Sequence, residues 1–153
     1  MRKVLLVVIV SIIIGGCGGG AHQEIPGISI ADLQAAPEQV EIGGAECVVS
    51  PRSQLTRDFF PGGLTPPDGG PLAAWVQIEV SAGQTAPPDI KLRYLYVIKG
   101  TEVWQTELSR WGVSTSDGPK WETGTLVDMV VLVCQGGNSY LIKASDVPIM
   151  RLD

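Results

Sequence analysis

The chain has 153 residues, eleven of them basic and sixteen acidic, for a net charge of −5. It contains no basic stripe, which argues against nucleic acid as a partner and against electrostatic docking on anionic lipid. Glycine and proline together supply 30 residues, most of them between apolar runs, the pattern of short strands and many turns rather than long helices.

The first segment pairs Arg2 and Lys3 with an apolar run from Val4 to Ile14, interrupted only by Ser11. Eleven helical residues reach about 16 Å at ~1.5 Å each, roughly half of a ~30 Å hydrocarbon core. That length suits the apolar region of a signal peptide, which runs about 7–15 residues. Ile14-Gly15-Gly16-Cys17 follows directly: an aliphatic residue, two small residues that suit a narrow peptidase pocket, and a thiol.

These 17 residues resemble the signal peptide and lipobox of bacterial lipoproteins. The resemblance implies removal of residues 1–16, a diacylglyceryl thioether on Cys17 and acylation of the new amine. Each buried CH₂ contributes ~0.8 kcal/mol and one chain binds only marginally, so two or three chains on one residue make the attachment to the membrane lasting. Gly18 stands where an aspartate would resemble an inner-membrane retention signal. The expected place is therefore the outer membrane of a diderm source, with the outer leaflet of the cytoplasmic membrane as the alternative. Loss of Arg2 and Lys3 leaves nine basic against sixteen acidic residues, a mature net charge of −7.

Residues 17–37 read as a lipidated tether, opening with Gly18-Gly19-Gly20 and broken by Pro26 and Pro37; within it, residues 28–36 can form a helical turn. Residues 38–153 read as a single β domain. Val40 to Ile42 and Ala45 to Ser50 form an opening hairpin around Gly43-Gly44. Gln54 to Phe60 leads into the Pro/Gly-rich loop from Pro61 to Pro71. Ala73 to Ser81 alternates with the period of one half-buried strand. Lys91 to Ile98 and Thr101 to Leu108 flank a turn at Lys99-Gly100, and a polar loop spans Ser109 to Lys120. Leu126 to Cys134 is apolar on both faces and so belongs in the middle of a sheet. Gln135-Gly136-Gly137-Asn138 turns it into Ser139 to Ala144, and Val147 to Leu152 adds a last edge strand.

Seven or eight short strands with frequent turn signals define an all-β fold. The expected architecture is a small immunoglobulin-like β-sandwich, with a small closed β-barrel as the alternative. With Cys17 blocked by lipid, Cys47 and Cys134 are the remaining pair for a disulfide, one early and one late in the domain, in a compartment that permits it. The spacing of 87 residues is long for such a bridge.

Catalytic signatures are absent. His22, the single histidine, lies in the tether and cannot serve as a fixed base or zinc ligand. Glu79, Glu102, Glu107 and Asp128 lie in or beside expected strands, and nothing singles out a pair. No metal site or cofactor is expected. Four tryptophans remain as candidates for ligand or partner contact: Trp75, Trp104, Trp111 and Trp121. Exposed rings beside polar groups stack on sugars or anchor a protein partner; buried ones close the ends of the core. The expected function is that of a non-catalytic, membrane-anchored binding or envelope-assembly module. A glycan-binding module using exposed Trp is the alternative, and a carboxylate-dependent hydrolase is the third reading.

Overall fold

The computed structural model describes residues 28–109, 112–114 and 117–153. Cys17, His22 and Trp111 lie outside the described residues, as do the positions where the signal peptide and lipobox are expected. Among the described residues one short helix and nine strands follow in order: α1 (Ile30–Gln34), β1 (Gln39–Ile42), β2 (Ala45–Val49), β3 (Gln54–Asp58), β4 (Ala73–Trp75), β5 (Ile78–Val80), β6 (Lys91–Lys99), β7 (Glu102–Glu107), β8 (Leu126–Gln135) and β9 (Asn138–Leu152). The fold is all-β.

Six strands form a curled, half-barrel sheet in the order β4-β3-β9-β8-β6-β7, and β1-β2-β5 form a separate three-stranded sheet. All pairs are antiparallel except β3 with β9. The all-β class matches the sequence reading, and the strands depart from that reading at two places. The stretch from Ala73 to Ser81 is two strands that belong to different sheets: Trp75 pairs with Gln54 of the large sheet, whereas Ile78 pairs with Val49 of the small one. The two segments read as Ser139 to Ala144 and Val147 to Leu152 are one long strand, β9, which stays on β8 and then also pairs with β3.

The chain passes between sheets twice at one corner. The turn from Ser50 to Ser53 carries it from β2 to β3, and Val76-Gln77 carries it from β4 to β5. Hydrogen bonds stitch the two crossings together: Ser50 N–H donates to the Gln77 carbonyl (2.8 Å), and Gln77 N–H donates to Ser53 Oγ (3.0 Å). Val76 N–H donates to the Gly112 carbonyl (2.8 Å). Gly112 has φ +74, and a Cβ there would lie 2.0 Å from the Val76 carbonyl oxygen, so only glycine fits so close to the corner.

β8 lies between β9 and β6, and the large sheet is buried on both faces there. Val127, Met129, Val131 and Val133 point into the main core beside Leu55, Leu95 and Ile142, while Val130 and Leu132 point outward. Leu33 of α1 and Ala36 just after it cover the outward pair and form a second cluster with Tyr96 and Ile98. Burial of Leu33 contributes about 1.5–3 kcal/mol, enough to hold a helix too short to persist alone. Ser29 caps it through a reciprocal pair of bonds with Asp32; these hold the exposed Asp32 carboxyl below its ordinary range. The ordered domain therefore reaches back at least to Ile28, into the stretch read as tether.

Candidate functional site

The groove begins at an irregularity in β9. Val127 opposes Val147 and Met129 opposes Ala144, so Ser145 and Asp146 together face the single residue Asp128. This is a β-bulge, a feature that bends a strand and often accompanies a binding site. Asp146 takes φ +55, a left-handed conformation that a short carboxylate side chain tolerates, and its N–H meets Asp128 Oδ1 at 3.3 Å.

On one side of the bulge, Lys143 N–H donates to the Pro37 carbonyl (2.8 Å) and Lys143 Nζ to the Gln34 carbonyl (2.9 Å). On the other side, β9 pairs with β3 from Ile149 onward. Between these attachments no described strand pairs with this edge of β9. The gap opens into a groove of about 590 Å³. Val49, Met129 and Met150 line its apolar part, and Ser53, Gln54 and Glu38 bring polar groups to it. Ser145 Oγ donates to Glu38 Oε1 (2.7 Å) across it. Such a groove offers backbone groups at a strand edge, apolar footholds and two carboxylates, Glu38 and Asp146. That combination suits an extended polar or basic chain better than a compact apolar molecule.

The second organised feature is a clamp around Arg57, which is only 4% exposed. Its Nε donates to the Gly70 carbonyl (2.9 Å), Nη2 to Asp68 (2.6 Å), and Nη1 to Trp121 (2.9 Å) and Lys120 (3.3 Å). Four main-chain carbonyls thus satisfy one buried guanidinium, tying the loop after β3 to the segment before β8. The Lys120–Asp68 ion pair (2.7 Å) lies at its edge and, with Arg57 nearby, lowers the Asp68 carboxyl. Gly69 completes the clamp: it has φ +82, and a Cβ would stand 2.4 Å from the Phe59 ring.

The described tryptophans, Trp75, Trp104 and Trp121, do not form an exposed patch. Trp121 is buried, donating Nε1–H to Glu102 Oε2 (2.6 Å) under the Lys99 ammonium, 5.6 Å from its ring centroid. Trp104 packs against the main core, with its ring beside Gly118. Trp75 is exposed at 37% and stands alone among the described tryptophans in that respect. The sequence offers no means of separating these fates, because each ring sits next to polar residues. Glu79 and Glu102 are engaged by Ser50 and Trp121 respectively, and neither lines the groove.

The expected Cys47–Cys134 bridge is not formed: Cys47 is a free thiol. Cys47 pairs with Val40 and Val80 in the small sheet, whereas Cys134 pairs with Lys91 and Ser139 in the large one. Burial pushes the Cys47 thiol up, away from the reactive thiolate. Among the described residues no group of three or more His, Cys, Asp or Glu side chains could hold a metal ion, and no helix is long and apolar enough to cross a membrane. No known family, curated protein or solved structure matches the chain.

Proposed function

We propose that the protein is a lipid-anchored, non-catalytic binding module on the extracytoplasmic side of a bacterial membrane, and that its groove receives an extended segment of a partner protein. The lipobox ending at Cys17 supports the anchor. The observation that carries the binding reading is the open edge of β9 at the Ser145–Asp146 bulge, flanked by the Pro37 attachment and β3. An incoming strand adds main-chain hydrogen bonds there, and the apolar lining takes alternate side chains. Glycan stacking is less favoured, because among the described tryptophans Trp121 is buried, Trp104 packs on the core and Trp75 alone is exposed.

In-cell crosslinking of the full-length protein, with mass spectrometry of what it captures, tests the groove. One dominant protein partner is expected, lost when exposed Gln54 is replaced by a bulky ring (Gln54→Trp). Equal capture by both forms, or capture of no protein, overturns the reading. Labelling with a fatty-acid analogue tests the anchor: label should disappear in Cys17→Ser, and its persistence would sink the lipoprotein assignment.

A further inference from the structure

We propose that the loop from Phe60 to Pro67 is a membrane-contacting tip that inserts into a zwitterionic lipid bilayer; this rests on the lipid-anchored reading. Leu64 is 84% exposed and Phe60 42%, the former the most exposed large apolar side chain among the described residues. Leu152, also exposed, sits at the loop's base, where its carbonyl accepts from Phe59 N–H (2.7 Å). An isolated exposed leucine needs no explanation, but this one tops a held structure. The Arg57 clamp and the Phe59–Gly69 contact fix the base, and Thr65 Oγ donates to the Phe60 carbonyl (3.0 Å) across the tip. A tip ordered before contact loses little conformational freedom on docking.

Charge selects the occupant. Residues 59–67 contain no ionisable side chain, and Pro61, Pro66 and Pro67 bring no N–H that hydrocarbon would leave unpaired. At the base, Asp68 is paired with Lys120, and Arg151 with Asp153 while lying 4.0 Å from the Phe59 ring centroid. Insertion of the Phe60 and Leu64 side chains, with the loop backbone kept at headgroup level, therefore strips water from apolar groups, and the mature charge of −7 favours a zwitterionic over an anionic surface. Reach is no obstacle. The eleven Cα-to-Cα steps from Cys17 to Ile28 extend to at most about 36–40 Å. A domain of this size has a radius of gyration of about 14 Å, so the anchor lets any face meet the bilayer that holds it.

The test uses full-length lipidated protein in phosphatidylcholine vesicles, with an environment-sensitive fluorescent amino acid placed at position 64 or, as a control, at the exposed turn position 84. Flotation of the vesicles is read first. Protein that fails to float loses the anchor and, with it, the tip. Protein that floats should show a blue-shifted probe at 64, quenched several-fold more by spin-labelled lipid than the probe at 84, with the difference abolished by Phe60→Asp. Equal quenching at both positions, or quenching at neither, overturns the tip while leaving the anchor intact.

Discussion

The two ends of β9 solve opposite problems. At its C-terminal end the strand is locked: β3 runs parallel to it, Arg57 gathers four carbonyls beside it, and the loop above is apolar and tied at its base. At the bulge the same strand lacks a partner on one edge and is lined by hydroxyls, an amide and carboxylates. The difference shows how one strand can serve as scaffold and as recognition edge. The first end is paired with a neighbouring strand, and at the second the proposed partner segment would take the place of one.

Breaking the locked end should have the largest effect. Arg57→Ala strands four carbonyls in a buried site and is expected to cost about 3–5 kcal/mol in urea unfolding. Arg57→Lys should recover only part of it, because an ammonium cannot reproduce the planar fork. A loss below about 1 kcal/mol would show that the loop holds itself. Next in size is the outer face: Leu33→Ala, which uncovers Val130 and Leu132, should cost about 2–3 kcal/mol by the same measurement.

Tyr96 gives a pH handle on that face. Burial, and secondarily the charge of Tyr94, push its phenol up to about 12. The unfolded chain releases this proton near pH ~10, so folding keeps a proton that the unfolded state gives up. Stability should be full below pH ~10 and fall by about 2 kcal/mol as pH rises toward ~12. Tyr96→Phe should flatten that slope in denaturant titrations at pH 8 and 11; an unchanged slope would assign it elsewhere.

The smallest effect belongs to the bulge. A β-branched residue resists φ +55, so Asp146→Val should cost about 1 kcal/mol and Asp146→Gly less. Equal stability of all three forms would mean that the bulge relaxes freely.

Much of the strand inventory was legible in the residues. The double-faced apolar run of β8 marked it as interior, and the Gly-Gly hairpin turns set β1–β2 and β8–β9. What escaped was long-range. Nothing local in Ala73 to Ser81 reveals that Trp75 and Ile78 lie in different sheets, because the alternation continues through the corner. The groove left one trace, the break between Ala144 and Val147, which reads as a gap between strands and is a bulge within one. Nothing local signals the burial of Arg57, since its four acceptors come from segments 11 to 64 residues away. The candidate disulfide failed because compartment and position in the chain say nothing about whether two strands bring their cysteines within bonding reach.

The most direct test places a photoreactive amino acid at position 54, in the groove, or at position 64, on the loop tip, of the full-length protein in its own cells. The account predicts a protein adduct from position 54 and a lipid adduct from position 64. The same species captured from both positions, or lipid captured from the groove, would contradict the division of β9 into a recognition edge and a membrane-facing end.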